Sequence, residues 1–286
     1  METCVSVRDL AAIGKQIGMS GDAPSSAPKR IPSSNAAIEI WLAQLDLDAD
    51  QVLQCALLLS PDELLRAERY WFERDRRRFI VARATLRKLL GGCLAAVPDA
   101  IVFAYARNGK PVIADHAGDV QFNVSHAHER ALYAISRSHA LGVDIEYLNR
   151  DIDYSGLAER FFTNREYAAL QRIPESGRKR AFFACWTRKE AVIKALGDGL
   201  AIPLDRFETA VDPEAPPRLL AFDKTTCDIE GLTLYTVDVG PDYVATAALQ
   251  RMPYAVSSQK HFPDCARHRR SLLNGFDDYA KGQQRR

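Results

Sequence analysis

The sequence predicts an α+β fold made of two similar halves. Short apolar segments with the two-residue alternation of β-strands recur in each half, and two longer segments, 64–90 and 185–199, carry apolar residues at helical spacing. An offset of 106 residues pairs Leu90 with Leu196, Lys88 with Lys194 and Arg83 with Lys189. Self-similarity at a fixed spacing indicates a repeated supersecondary unit. We expect the halves to join near residues 136–140.

The order of the remaining elements is consistent with two such units. Ser60-Pro61-Asp62-Glu63 is typical of a helix start, with proline at the first helical position, and Asn108-Gly109 favours a tight turn that holds Lys110 at its tip. We predict strands at 38–45, 101–106, 120–125, 140–146, 204–210, 218–222, 232–239 and 244–249. The predicted divisions are a flexible leader (1–36), an N-terminal half (37–138), a C-terminal half (139–253) and a polar, basic tail (254–286).

Composition excludes several classes of protein. A chain of 286 residues with 47% hydrophobic and 26% charged residues is globular, and a net charge of +1 argues against a strongly basic nucleic-acid binder. The six cysteines form no C-x-x-C pair, so neither a zinc site nor a disulfide framework is indicated. No segment approaches the roughly 20 apolar residues of a membrane span, and Lys15 interrupts the apolar run near the N-terminus. We expect a cytoplasmic protein.

The helix predicted at 185–199 carries an acidic and a basic residue one turn apart. Glu190 and Lys194 are four residues apart with the acid first, which is the favourable order for a helical ion pair. Such a pair on an exposed surface adds only about 0.2–0.5 kcal/mol and has no chemical role. A chemical role is the alternative, and a second acidic pair about 45 residues earlier favours it.

That second pair lies in the strand predicted at 140–146. Val143 and Ile145 would share one face and Asp144 and Glu146 the other, because the side-chain period of a strand is two. Like charges on one face repel unless water or a cation separates them, and carboxylate oxygens suit Mg²⁺. A solvated edge strand carrying two acids is the alternative reading.

Basic residues concentrate in the first of the two long helical segments. Between Arg66 and Lys88 there are nine basic residues against three acids, in a chain that is nearly neutral overall. The alternatives are a solvated helix face and a site for a ligand rich in phosphate. His126 follows the strand predicted at 120–125, and the same choice between a structural and a ligand-binding role applies to it.

Four motifs in order resemble the 4′-phosphopantetheinyl transferases of the Sfp, or surfactin-synthetase-activating, type. They are Gly109-Lys110-Pro111, Phe122-Asn123-Val124-Ser125-His126, Gly142-Val143-Asp144-Ile145-Glu146, and Trp186-Thr187-Arg188-Lys189-Glu190-Ala191 continuing to Lys194. The segment Arg160-Phe161-Phe162-Thr163-Asn164-Arg165-Glu166-Tyr167 also resembles the family. The resemblance covers about residues 38–249 and implies a pseudodimeric fold with the active site in the cleft between the halves.

The resemblance also implies an activity: transfer of the 4′-phosphopantetheine arm of coenzyme A to a serine of an apo acyl or peptidyl carrier protein, with release of adenosine 3′,5′-bisphosphate. It implies that Asp144, Glu146 and Glu190 hold Mg²⁺, or Mn²⁺, and that Glu190 is the candidate base, with Lys194 stabilising the leaving phosphate. The implied coenzyme A contacts are Arg66, Arg83, Lys110, Pro111, Ser125, His126, Asp144 and Lys194. We expect a monomer with no nucleic-acid or membrane partner.

Two other functions remain open from the sequence. A noncatalytic carrier-protein or nucleotide-binding module would keep the fold without turnover. A nucleic-acid binder would use residues 66–88 and the basic tail, and its affinity would fall steeply with salt.

Overall fold

A computed structural model describes residues 27–33, 35–106, 109–114, 120–197, 202–222 and 231–251. Its α-helices are α1 (Ala49–Ala56), α2 (Pro61–Ala67), α3 (Glu73–Leu94), α4 (Tyr154–Phe161), α5 (Asn164–Arg172) and α6 (Glu175–Leu196). Its strands are β1 (Lys29–Ile31), β2 (Glu39–Gln44), β3 (Phe103–Tyr105), β4 (Pro111–Ile113), β5 (Gln121–Ala127), β6 (Arg130–Ser136), β7 (His139–Tyr147), β8 (Phe207–Thr209), β9 (Leu219–Phe222), β10 (Leu232–Thr236) and β11 (Tyr243–Arg251). No helix within these ranges is both long and apolar enough to cross a bilayer.

Each half consists of an antiparallel sheet covered by one long helix. The first sheet has the order β1-β2-β6-β5 and packs on α3, and the second has the order β10-β11-β7 and packs on α6. The opposite faces of the two sheets pack on each other through residues such as Leu132, Val143 and Ala247, which are fully buried. The prediction of an α+β fold with two similar halves is confirmed.

The two sheets meet where β5 lies beside β7. At this seam side chains take the place of ladder hydrogen bonds, because Asn123 Oδ1 accepts from the Val143 amide at 2.9 Å and Ser125 Oγ accepts from the Ile145 amide at 3.4 Å. The acidic strand of the second half is therefore attached directly to the polar strand of the first half.

The internal repeat is clearer in the structure than in the sequence. Helices α3 and α6 both contain 22 residues, and both their first and their last residues are 102 positions apart. The relation between the helices is therefore an offset of 102 rather than 106, which makes Arg87, not Arg83, the counterpart of Lys189. Strands β2, β6 and β5 of the first sheet correspond in order to β7, β11 and β10 of the second.

The same buried ion pair occurs once in each half. Glu63 closes the capping box of α2 and accepts from Arg87 Nε at 2.8 Å, and Glu166 closes the capping box of α5 and lies 2.8 Å from Lys189 Nζ. All four side chains are at most 2% exposed. Each pair ties the start of a short helix to the middle of a long one.

Several predicted boundaries were wrong. The segment 64–90 is two helices, because α2 ends at Ala67 and the chain turns before α3 begins at Glu73, with Tyr70 packed on Phe79. Residues 27–36 do not belong to a flexible leader, since β1 pairs with β2 and Ile31 enters the core between the sheets. Leu204–Arg206 is a 3₁₀ turn rather than a strand. The first 26 residues and the tail lie outside the described residues.

Candidate active site

A glycine brings β7 into close contact with α6. A Cβ atom placed on Gly142 would lie 2.2 Å from the Ala191 carbonyl oxygen and 2.7 Å from the Cβ of Lys194, so no other residue fits here without displacement. Two residues further along the same face of the strand is Asp144. The close approach at Gly142 therefore places Asp144 against the last turns of α6.

Asp144 is the centre of a compact polar cluster at the seam. Its Oδ1 accepts from Lys194 Nζ at 2.6 Å and from Ser125 Oγ at 2.8 Å, while Lys194 Nζ also donates to Ser125 Oγ at 3.2 Å and to the Val143 carbonyl at 3.3 Å. Asp144 is only 4% exposed. Its other oxygen, Oδ2, is buried without a hydrogen-bond partner among the described residues.

Two further carboxyl groups face the same cluster. Burial raises the pKa of Glu146 to about 8, with the charges of Asp144 and Glu190 adding to the shift against the opposing effect of Arg150. Burial likewise raises the pKa of Glu190 to about 7, where the nearby Lys194 opposes the shift and Asp144 adds to it. Burial alone would lower the pKa of Lys194, but Asp144 and Glu190 outweigh it and the pKa is raised. The positive charge of Lys194 therefore does not balance the three carboxyl groups of the cluster.

The first half contributes two more cationic or titratable groups. Lys110 Nζ donates to the Lys194 carbonyl oxygen at 3.3 Å, and burial lowers the pKa of Lys110. His126 lies within β5 rather than beyond its end, next to Ser125. Desolvation and then the Lys194 ammonium lower the pKa of His126, although the residue stays accessible to solvent, as expected for a side chain lining a cleft.

The donor set of this cluster fits a hard divalent cation. Three carboxyl groups offer oxygen atoms of the kind such a cation prefers, and Asp144 Oδ2 has no hydrogen-bond partner in the part of the chain that the structure describes. Additional positive charge would lower the raised pKa values of Glu146 and Glu190. In the described ranges, no three His, Cys, Asp or Glu side chains already stand in an arrangement that could hold a metal ion. Instead, the Lys194 ammonium contacts Asp144 directly.

The predicted site residues divide into two groups. Ser125, His126, Asp144, Glu146, Glu190, Lys194 and Lys110 converge on one region. Pro111 begins β4 next to Lys110 and pairs with Tyr105, and Arg66 lies over the rings of Phe79 and Tyr105.

Arg83 lies outside this cluster. It is 9% exposed, lies 3.4 Å from Glu63 and faces the Phe103 ring, and none of its described contacts is with Asp144 or Lys194. The helical ion pair between Glu190 and Lys194 was also predicted wrongly, because in the described part of the chain Lys194 pairs with Asp144 instead. The deeper partner is preferred because a buried carboxylate gains more from a cation than an accessible one does.

The alternation predicted for β7 is confirmed in part. Val143 and Ile145 are at most 1% exposed and face the other sheet, while Asp144 and Glu146 face the cluster. The strand is not a solvated edge, since both acids are largely buried. Cys185 is a fully buried small side chain, as predicted, and burial raises its thiol pKa.

Comparison with known proteins agrees with this geometry. The family model described as the 4′-phosphopantetheinyl transferase superfamily matches residues 140–248, and the model described as 4′-phosphopantetheinyl transferase, N-terminal, matches residues 47–138. The boundary between the two matches falls at the junction of the halves.

Three relatives illustrate the similarity. The 4′-phosphopantetheinyl transferase HetI of Nostoc sp. is 39% identical over 194 residues, which is 67% of this chain and 81% of that protein. The Sfp transferase of Bacillus subtilis is 28% identical over 68% of this chain and 84% of its own length. The psf-1 transferase of Bacillus pumilus is 31% identical over 59% of this chain and 71% of its own. With both halves matched and HetI aligned over most of its length, this chain belongs to the 4′-phosphopantetheinyl transferase superfamily, and within it to the Sfp type.

Proposed function

We propose that this chain transfers the 4′-phosphopantetheine arm of coenzyme A to a serine hydroxyl of an apo acyl or peptidyl carrier protein, as a holo-acyl-carrier-protein synthase. The observation that carries the proposal is the cluster of Asp144, Glu146, Glu190 and Lys194 at the seam between the halves. Three carboxyl groups with a lysine suit a reaction in which a phosphoanhydride is cleaved with the aid of a divalent cation.

In this proposal Asp144, Glu146 and Glu190 hold Mg²⁺ or Mn²⁺. When bound, the cation would neutralise charge on the coenzyme A pyrophosphate and orient it. Asp144 Oδ2 is the group most clearly available for it, being buried and without a partner among the described residues.

Glu190 is the proposed general base. Without a metal, burial raises the pKa of Glu190 to about 7, and a bound cation would lower it, so the carboxylate would be ionised and able to accept a proton at neutral pH. It lies on the rigid α6 and is partly accessible, so a serine hydroxyl brought by a partner could reach it. Glu190 would accept the hydroxyl proton as the serine oxygen attacks the β-phosphate.

Lys194 has two proposed roles. It holds Asp144 in place through the 2.6 Å contact, and its charge would stabilise the phosphate of the departing adenosine 3′,5′-bisphosphate. Lys110 and His126 line the same cleft from the first half and are proposed contacts of the nucleotide and its phosphates, with Ser125 beside them. Arg66 is a proposed coenzyme A contact at the outer end of the same cleft. Arg83 is not proposed as one, because it is buried against Glu63.

Intact-protein mass spectrometry tests the proposal directly. A purified apo carrier protein incubated with this chain, coenzyme A and Mg²⁺ should gain the mass of one phosphopantetheine, and a chelator should prevent the gain. If coenzyme A binds but several apo carriers gain no mass, the chain is a noncatalytic binding module rather than a transferase. Light scattering should give the mass of one chain, because both walls of the cleft come from the same polypeptide.

The nucleic-acid alternative is disfavoured by the charges of α3. Arg87 and Arg83 are turned inward to Glu63, Arg78 pairs with Asp46, and Arg76 pairs with Glu73. Four of the nine basic residues that suggested a polyanion site thus pair with acids within the protein. Binding of DNA or RNA with a steep salt dependence would restore this alternative.

A further inference from the structure

The turn between α2 and α3 exposes an unusual amount of aromatic surface. Trp71 is 92% exposed, Leu65 57%, Phe72 47% and Tyr70 39%, and we call these four side chains the aromatic corner. Tyr70 packs on the Phe79 ring at 5.4 Å, so the corner is anchored to α3. A contiguous apolar patch of this kind on a protein surface is typical of an interaction site, and tryptophan is enriched among the residues that dominate binding energy.

The aromatic corner is surrounded by arginines. Arg66, Arg69 and Arg74 are exposed around it, and residues 66–78 contain six arginines against three acids. Among the described residues Arg69 forms no ion pair, Arg66 lies over aromatic rings rather than against an acid, and Arg74 forms a solvent-exposed ion pair with Asp75 at 3.3 Å. The surface therefore offers an apolar centre with a basic rim.

A chain of contacts through Arg66 and Lys110, together with a long-range charge effect, places the aromatic corner beside the candidate active site. Asp75, three residues after Phe72, is close enough to raise the pKa of His126, although desolvation dominates and lowers it overall. On the other side, Arg66 stacks over Tyr105, whose strand partner is Pro111. The neighbouring Lys110 reaches the Lys194 carbonyl. A macromolecule seated on the aromatic corner would lie beside the cleft.

We propose that the aromatic corner is the docking platform for the carrier protein, and that it receives an amphipathic helix with acidic residues flanking an apolar ridge. This inference rests on the proposed function. An apolar ridge would cover Trp71 and Phe72, and acidic side chains would pair with Arg69 and Arg74 at the rim. A partner that must present a serine to Glu190 needs a surface close to the cleft, and the aromatic corner provides one.

Charge argues against two other occupants. A second copy of the same surface would bring basic rims together, which is unfavourable. The C-terminal segment 255–286 is itself basic, with seven basic residues against three acids, and would be repelled. The N-terminal segment 1–26 has three acids and two basic residues, so charge does not exclude it, and the experiment below distinguishes it.

The test measures steady-state transfer to an apo acyl carrier domain that lacks tryptophan. Trp71→Ala and Arg69→Glu should each raise the KM for the carrier about tenfold, as expected for a residue that dominates an interface. The KM for coenzyme A, the kcat at saturating carrier and the melting temperature should stay unchanged. Leu220→Ala and Arg165→Glu are matched controls, because both residues are exposed on the other half, at 55% for Leu220 and 83% for the Arg165 side chain.

Fluorescence provides a second readout. Adding the carrier domain should shift the tryptophan emission of the wild-type protein to shorter wavelength, and Trp71→Phe should abolish that shift. An unchanged carrier KM in both variants, with the wild type active, would overturn the inference and leave the proposed function standing. So would a Trp71 emission that is already blue-shifted in the free protein, which would identify a segment of the chain as the occupant, or a shift that depends on protein concentration, which would identify a second copy. Absence of transfer by the wild type would instead refute the proposed function.

Discussion

Replacing Gly142 by alanine tests the geometry of the site more severely than replacing any charged residue. The added Cβ would lie 2.2 Å from the Ala191 carbonyl oxygen and 2.5 Å from the Ala195 amide nitrogen, whereas ordinary van der Waals contact begins at 3.4 Å. Backbone atoms of α6 cannot rotate away as a side chain can, so the helix must retreat from β7 by about 1 Å. Overpacking of this kind typically costs about 1–3 kcal/mol of stability.

The same displacement would disturb the chemistry. Glu190 and Lys194 lie on the part of α6 that must move, and the 2.6 Å contact between Lys194 Nζ and Asp144 Oδ1 would open. A misplacement of about 1 Å at a catalytic centre can lower the rate about 100-fold. We therefore expect Gly142→Ala to fold, to melt several degrees lower and to lose about two orders of magnitude in kcat/KM for carrier modification.

Gly92→Ala is the matched control. Gly92 lies in α3 with nothing within 4 Å of its added Cβ, and alanine is favoured over glycine in a helix by about 0.5–1 kcal/mol. This variant should be as stable as the wild type or more so, with full activity. If Gly142→Ala keeps the wild-type melting temperature and turnover, the proposed close packing of β7 on α6 is wrong.

Four further predictions concern the charged residues. Glu190→Gln should lower the rate of transfer by about 100-fold or more while the melting temperature is retained, since it removes the proposed base. Asp144→Asn should also lower the rate of transfer, and the rate should respond less to added Mg²⁺. In chelator, the contribution of Glu146 and Glu190 to folding stability should fall as the pH rises from about 5 to 8. Their folded pKa values of about 8 and 7 exceed the ordinary 4.5, so the folded state holds more protons in this range. Arg87→Met should lower the unfolding free energy by about 3–5 kcal/mol, because Glu63 would remain buried without its closest partner.

Each of these has a control. If Glu190→Gln turns over near the wild-type rate, Glu190 is not the general base. The pH effect is measured as the difference in unfolding free energy between the wild type and Glu190→Gln in denaturant titrations, because the contributions of the histidines cancel in that difference. A difference that stays constant or rises with pH would contradict the assignment of a buried carboxyl group. Arg165→Met, at an exposed ion pair with Glu208, should change stability by less than about 1 kcal/mol. A similar small loss for Arg87→Met would show that Glu63 is not held as described.

The sequence predicted the parts of the site that depend on local pattern. The alternation of Val143 and Ile145 with Asp144 and Glu146 follows from strand geometry alone, and the resemblance to a known family supplied the roles. The partner of Lys194 could not be predicted, because the contact joins residues 50 positions apart across two elements. A helical neighbour at four residues was the only partner visible in the sequence.

The buried ion pairs show the same limit. Ser60 to Glu63 and Thr163 to Glu166 both have the spacing of a capping box, which was a usable signal for a helix start. Nothing in that spacing indicates that the glutamate also binds Arg87 or Lys189 in the core. The repeat offset of 106 was wrong because it aligned Gly91 with Gly197, whereas Gly91 lies inside α3 and Gly197 follows the last residue of α6.

The correspondence between the halves gives the described part of the chain two equivalent seams, and the carboxyl cluster of the candidate site lies at one of them. At the offset of 102 residues between the long helices, Glu190 and Lys194 correspond to Lys88 and Gly92, and the side chains of β2 that pack towards α3 include the apolar Trp41 and Ala43. The equivalent seam, where Tyr235 on β10 meets Asn35 before β2, thus lacks the carboxyl groups. A carboxyl cluster at one seam only means that, under the proposed function, binding titrations should find a single coenzyme A per polypeptide.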